Sequence, residues 1–520
     1  MSIAAFGAPE IERFRRALAQ HMGLRFDDDK TPLLGGVLAT RLRATGSRDA
    51  DAYLAQISAD AAELGDLAKL LSVGETYFFR NRDQFRALEA MLRDRAAAGR
   101  RHLRVLSAGC ASGEEPYSIA MLARETLGAA GGSGISIVAF DINPEGLRRA
   151  GEGRYADWSL RETVPDMQRK YFRSEGKQHV VIDEVRAMVR FEQRNLGRPD
   201  PGFWCARAFD VIFCRNVLMY FTPEAARRVV DRLSASLAPG GHLFLGHAEN
   251  LRGISNDFHL VHSHDTFYYR RRATLEATRI GPSPETALAH AEESPAPGGQ
   301  PSMPPLADDV SWFEAIARAS ERIEDLARRS SNGALPPSPP VVAPDPAVRA
   351  QEGSGGFAAA LELLKQERYA DALQMVPADS GEETVDPDAL LLRAVLMVGV
   401  GDARGAESAC REVLRIDELN AGAHYVVALC REQAGDRAAA IEHDRIASYL
   451  DPDFAMPHLH VGLISRRRRD IPGARRELAL ARGLLAREDA ARIVLFGGGF
   501  GRQALIALCD AELEACGAVS

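Results

Sequence analysis

The chain is 520 residues long, 46% hydrophobic and 26% charged, with a formal net charge of −8. That length allows roughly three domains of ordinary size, and the mild acidity argues against nucleic acid as a partner, because nucleic-acid-binding proteins carry a basic surplus. The 7 cysteines form no CxxC pair and no Cys/His spacing of a zinc site, so reduced thiols in a cytosol are expected and metal is not.

Residues 1–73 read as a small helical domain, because Ile11, Phe14 and Leu18, and later Leu64, Leu67, Leu70 and Leu71, recur at three- to four-residue spacing. From 74 to 272, the apolar stretches LRVLSA, ISIVAF, FDVIFC and HLFLGH alternate with amphipathic segments. That alternation predicts a doubly wound, Rossmann-like α/β sheet. HVVI and MVRF, around 179–191, read as the short strands of a small β insertion. Pro, Ala, Ser and Gly dominate 273–354, a linker by composition. Within it Trp312, Phe313, Ile316, Ile323 and Leu326 have helical spacing, which predicts an amphipathic helix at 309–329.

From 355 to 520 the chain repeats. Small residues recur at Ala360, Ala394, Ala428 and Gly462, and again at Ala372, Ala406, Ala440 and Ala474, each step being 34 residues. This pattern resembles tetratricopeptide repeats, in which paired helices cross at small residues and stack into an α-solenoid with a concave face. Such arrays bind proteins or peptides or mediate dimerisation. The Arg466 to Arg469 run falls at a corner between helices and reads as a solvated face. No run of about 18 apolar residues and no basic, then apolar leader occurs, so a cytoplasmic protein without membrane insertion is expected.

The richest stretch is RVLSAGCASGEEPY, Arg104 to Tyr117, where a strand runs through a turn containing Gly109 and Gly113 into a helix start bearing Glu114 and Glu115. A helix N-terminus attracts phosphate, but two acids there would repel it. S-adenosylmethionine fits better, since it has no phosphate and carries a sulfonium, an ammonium and a ribose diol. The following strand ends at Asp141, placed to accept from both ribose hydroxyls.

Motifs in order along the chain, GETYFFRN (74–81), SAGCASGEEPYSIA (107–120), AFDIN (139–143), RNL (194–196), FDVIFCRNVLMYF (209–221) and GHAEN (246–250), resemble those of CheR-type chemotaxis methyltransferases over about residues 10–270. The resemblance implies methyl transfer from S-adenosylmethionine to glutamate side chains on the cytoplasmic helices of methyl-accepting chemoreceptors. It also implies that Thr76 and Arg80 close over the cofactor from the domain junction. Glu115 and Asp141 would hold its amino acid and ribose parts, Asn195 and Leu196 would line the adenine side, and Arg215 and Asn216 would complete the pocket. Arg80 and Tyr220 would lie nearest the transferred methyl. Gly74 stands where many members have Asn, and the insertion near 176–190 is shorter than in members that grip a receptor's C-terminal pentapeptide. A repeat tail occurs in a subset of the family and would supply localisation.

A glutamate carboxylate, with a reference pKa near about 4.3, is already ionised at neutral pH and needs no general base. Arg80 and Tyr220 are therefore expected to orient it. Arg41, Arg43, Arg48 and Lys30 are read as a basic face toward an acidic receptor helix. Two alternatives stay open: a catalytically weak repeat scaffold in a chemosensory complex, and a dehydrogenase, which the absence of GxGxxG disfavours.

Overall fold

Among the described residues, the first α-helices are α1 (Ala8–Met22), α2 (Thr31–Thr45), α3 (Ala50–Ile57) and α4 (Ala61–Leu71). The spacing of Ile11, Phe14 and Leu18 turns one face of α1 onto Leu34, Leu38, Tyr53, Leu64 and Leu67, burial worth about 1.5–3 kcal/mol per large side chain. The computed structural model describes residues 6–57, 61–72, 74–100, 102–131, 134–272, 359–360, 362–364, 366, 368–376, 386–498 and 500–517. They fall into two units divided after Thr274. The expected linker and its helix at 309–329 lie outside the described residues.

The helical domain corrects one expectation. The Arg41 guanidinium bonds Glu63 through Nε (2.8 Å) and Nη2 (2.6 Å) and reaches Asp66 at 2.8 Å, while the Tyr53 hydroxyl donates to the same Glu63. Only 13% of the Arg41 side chain is exposed, so it is an internal strut and not part of a basic face. Arg48 pairs with Asp49, Lys30 with Asp29, and Arg43 bonds the Ala39 carbonyl of its own helix. A buried guanidinium demands carboxylate partners, and sequence spacing does not reveal them.

Among the described residues, the second domain has ten strands: β1 (Leu103–Ala108), β2 (Ile135–Asp141), β3 (Arg154–Tyr155), β4 (Phe172–Glu175), β5 (Gln178–Val181), β6 (Val189–Gln193), β7 (Phe209–Cys214), β8 (Leu237–Leu245), β9 (Phe258–Ser263) and β10 (Thr266–Arg271). Seven form one sheet in the order β6-β2-β1-β7-β8-β10-β9. Its first five strands are parallel, and β10 runs antiparallel to both neighbours. The near-continuous burial along β1, β2 and β7 is what parallel strands covered on both faces require. The covering helices are α5 (Arg82–Ala97), α6 (Glu114–Gly131), α7 (Pro144–Glu152), α8 (Pro165–Tyr171), α9 (Asp183–Arg186) and α10 (Pro223–Ser236). The small antiparallel sheet is β3-β5-β4. HVVI belongs to it, but MVRF does not: that segment is β6, the edge strand beside β2. Alternation marks a half-covered strand without saying which sheet it joins.

In the second unit, helices Pro387–Gly399, Ala421–Gln433 and Ala455–Arg467 alternate with Ala403–Ile416, Arg437–Leu450 and Ile471–Leu485, both series advancing by the repeat period. The recurrent alanines are fully buried where helices cross, and a Cβ on Gly462 would lie 2.8 Å from Leu478. Asp402, Asp436 and Asp470 cap the second helix of each pair. The preceding corner needs a left-handed residue, supplied by Gly401 and Gly435 but in the third pair by Arg469 (φ 62°). Arg466 pairs with Glu512 and Arg467 with Glu432, so half of the basic run is engaged internally and not merely solvated. The short helix Ala490–Phe496 lays Phe496 against Gly422, Tyr425 and Phe454, while Val494 and Leu495 pack near Ala360 and Leu364. It thus touches both early and late repeats.

Candidate active site

Strand β1 has β2 on one side and β7 on the other, so the chain order reverses across it. In open α/β sheets, ligands bind at the carboxyl ends of strands flanking such a point. There Gly109 leaves β1 with φ 76°, and the N–H groups of Gly109 and Cys110 both donate to the Phe140 carbonyl. A Cβ on Gly109 would lie 2.6 Å from the Val217 side chain, and one on Gly113 2.8 Å from Ala150. Glycine is therefore required at both for close approach as well as backbone angle.

The two oxygens of Asp141 each accept one backbone N–H, from Ala111 (2.9 Å) and Asn143 (2.8 Å). The Ile142 backbone N–H also bears on this carboxylate, which keeps acceptor capacity for a further donor. Burial raises the Asp141 pKa, and those backbone bonds oppose the rise. Glu115 accepts from Ser107 Oγ (2.7 Å) and Arg215 Nη1 (3.2 Å); burial raises its pKa too, with Arg215 the largest opposing influence. Arg215, buried and with its pKa lowered chiefly by burial, also donates to the Arg80 carbonyl at 2.6 Å. It thereby braces the segment that carries Arg80. Glu114 departs from expectation: its carboxylate accepts from Ser112 Oγ (2.8 Å) and Ser159 Oγ (3.2 Å), away from the cavities. Of the acid pair, Glu115 alone lines either cavity.

Two cavities meet here. One, of about 230 Å³, is lined by Asp141, Asn195, Leu196, Asn216 and Tyr220, with Met22, Leu24, Arg25, Phe26 and Ser72 of the helical domain as its far wall. The other, of about 300 Å³, is lined by Thr76, Arg80, Glu115, Arg215, Asn216, Tyr220 and His247. They share Gly109, Ala111, Asn216 and Tyr220. Every residue that the family resemblance assigns to the site thus lines one cavity or both, whereas Glu114 lines neither. The Asn195 side chain also works structurally, accepting from the Gly197 N–H and donating to the His21 carbonyl of α1. Gly74 lines the first cavity, and a Cβ there would meet nothing within 4 Å.

The residue that shapes the mouth carries no local signal in the sequence. Glu249 is buried and accepts four backbone N–H groups: Asn216 (2.6 Å) and Gly246 (2.7 Å) on Oε2, Val217 (2.8 Å) and Met219 (3.2 Å) on Oε1. One carboxylate therefore folds the loop that presents Tyr220, whose carbonyl also accepts the Arg25 N–H (2.8 Å). Four non-glycine residues with positive φ, Phe79, Asn81, Ala111 and Asn216, line or adjoin the site. Such strain, of order 1–3 kcal/mol each, persists only where surrounding structure holds it, and it clusters at functional sites.

This lining suits S-adenosylmethionine. Asp141 offers acceptor capacity for a ribose diol, the half-buried Glu115 suits an ammonium, and Gly109, which lines both cavities, lets the turn pack against Val217 where a Cβ could not. Among the described residues, no cluster of metal-ligating side chains occurs.

Residues 74–267 match the family model described as "CheR methyltransferase, SAM binding domain", and residues 9–72 match "CheR methyltransferase, all-alpha domain". A "Probable biofilm formation methyltransferase WspC" of Pseudomonas putida is 29% identical over 89% of this chain and 96% of its own length. "Chemotaxis protein methyltransferase 2" of Vibrio cholerae is 34% identical over 50% of this chain and 91% of that protein. The chain belongs to the CheR methyltransferase family, with a helical domain and an S-adenosylmethionine-binding α/β domain, and it carries a tetratricopeptide-like repeat unit behind them.

Proposed function

We propose that the protein transfers a methyl group from S-adenosylmethionine to glutamate side chains of methyl-accepting chemoreceptors, forming glutamyl methyl esters. The observation that carries this reading is Tyr220, which lines both cavities where they join and is 37% exposed. A carboxylate arriving from solvent meets its ring together with Arg80. The cofactor supplies an electrophilic methyl on a sulfonium. Asp141, Asn195 and Leu196 line its ribose and adenine side, Glu115 its ammonium, and Thr76 and Arg80 the closing edge.

The acceptor carboxylate is ionised at neutral pH, so Arg80 and Tyr220 orient it and take no proton. Arg80 Nη1 is held by the Glu75 carbonyl (2.9 Å), which limits how tightly it can neutralise the nucleophile. Burial pushes the Cys110 thiol well above its ordinary pKa, which argues against a cysteine nucleophile. We place this activity in a pathway of chemosensory type, at receptor arrays in the cytoplasm; a chemotaxis protein methyltransferase among the relatives supports the pathway. Among the described residues, no helix is long and apolar enough to cross a membrane. The repeat unit is assigned to recruiting a protein or peptide.

Methyl-labelled cofactor is incubated with the full chain and the cytoplasmic fragment of a chemoreceptor, and alkali-released methanol is counted. Methyl esters hydrolyse in alkali, whereas methylated amides and amines do not. Label that resists alkali contradicts the reading. Tyr220→Phe is expected to lower turnover about tenfold, the worth of one orienting hydrogen bond.

A further inference from the structure

An ordered stack of rings and cations leads from the surface into the second cavity. Trp158 is 66% exposed, and the Arg161 guanidinium lies 4.0 Å from its ring centroid and 3.5 Å from that of Tyr77. Tyr77 lines the cavity, and the Arg80 guanidinium lies 5.7 Å from the same ring. The sequence along the surface is therefore Trp158, Arg161, Tyr77, Arg80, and then the mouth.

The segment bearing Trp158 and Arg161 is latched to the one bearing Tyr77 and Arg80. The Phe78 N–H donates to the Ser159 carbonyl (2.9 Å), and Arg82 binds Glu162 through its carbonyl (3.1 Å) and its carboxylate (3.2 Å). Arg161 Nη1 donates to the Trp158 carbonyl at 2.7 Å. A guanidinium clamped between two rings has already lost most of its rotamer freedom. It therefore binds a carboxylate at lower entropic cost than a free surface arginine would. Met219 lines the same cavity as Tyr77, is 56% exposed and belongs to the loop folded by Glu249.

We propose that this stack, together with the exposed Met219 of the same cavity, is the surface on which the acceptor protein docks. Arg161 engages a second carboxylate of an acidic amphipathic helix, Trp158 and Met219 receive its apolar side, and the reacting glutamate falls at Arg80 and Tyr220. The inference rests on the acceptor reading above. It draws nothing from Arg41, which is locked inside the helical domain. Charge complementarity selects the occupant: exposed rings and a preorganised cation beside a mouth that admits a carboxylate.

The test measures alkali-released methanol against concentration of the receptor's cytoplasmic fragment for the full chain and its Trp158→Ala, Arg161→Met and Arg161→Lys variants. S-adenosylmethionine affinity is measured calorimetrically on each. Trp158→Ala and Arg161→Met are expected to raise KM for the receptor about three- to tenfold, with kcat and cofactor affinity unchanged. Arg161→Lys should recover part of the loss, because it keeps the charge without the planar fork. A KM unmoved by both of the first two variants overturns the docking inference alone. A fall in cofactor affinity matching the rise in KM also overturns it, by making the stack a structural element of the cavity. If the unaltered protein releases no alkali-labile methanol, the acceptor reading falls and takes this inference with it.

Discussion

Glu249→Gln is the most informative single substitution. The carboxylate presents two oxygens to four backbone N–H donors, whereas an amide has one oxygen and a donor nitrogen in the second place. Either way round, two N–H groups that are at least partly buried would face another donor. An orphaned buried donor costs about 1–3 kcal/mol, so holding the loop in place would cost about 2–6 kcal/mol. The loop is expected to relax before the upper figure is reached, releasing Asn216 from its left-handed conformation (φ 57°) and moving Tyr220. We expect about 2–4 kcal/mol to be lost from transition-state stabilisation, a fall in kcat/KM of about 30- to 1000-fold. The melting temperature of the first unit should drop by only a few degrees, because a surface loop can shift where a core cannot. The assay is steady-state methyl transfer to the receptor fragment, with a thermal melt on the same sample. A variant whose kcat/KM stays within threefold of the unaltered protein would refute the claim that Glu249 shapes the mouth.

Gly109→Ala should weaken S-adenosylmethionine binding at least about tenfold by calorimetry, since a left-handed alanine costs about 1–2 kcal/mol and its methyl must displace Val217; unchanged affinity would contradict that need for glycine. Arg469→Gly should stabilise the repeat unit by about 1 kcal/mol and raise its melting temperature, because glycine takes the left-handed corner freely; a lower melting temperature would show that the arginine earns its place by a contact. His460 lies 2.7 Å from Asp444 and 2.9 Å from Glu432. Burial works against its charge, but these carboxylates prevail and raise its pKa from 6.5 to about 10. A raised folded pKa contributes stability that is complete below about 6.5 and lost as pH climbs toward 10. The repeat unit should therefore melt at progressively lower temperature from pH 7 to pH 10, and His460→Gln should flatten that slope; an equal slope in both proteins would contradict the assignment.

Backbone periodicity and small-residue spacing made much of the architecture readable. The 34-residue step is imposed by alanines and a glycine that must be small where helices cross, so it survives in sequence whatever surrounds it. Gly109 and Asp141 were legible for a similar reason, because each answers a local demand of the strand-to-helix turn. Arg41 was misread because a charged residue on a helix looks the same whether it meets water or Glu63. MVRF was assigned to the wrong sheet because alternation is local, whereas strand order is set by distant partners. Glu249 carried no signal beyond a single acid in GHAEN, since its partners are backbone N–H groups that have no letter. The same holds for Trp158 and Arg161, which meet Tyr77 only through the folding of a segment about 80 residues away.

The measurement closest to the central claim is a calorimetric titration of the full chain with S-adenosylmethionine, repeated on Asp141→Asn. The account predicts one saturable site per chain, weakened at least about tenfold in the variant by loss of the carboxylate that faces the ribose. Equal affinity in the two proteins, or no saturable binding to the unaltered chain, would contradict it.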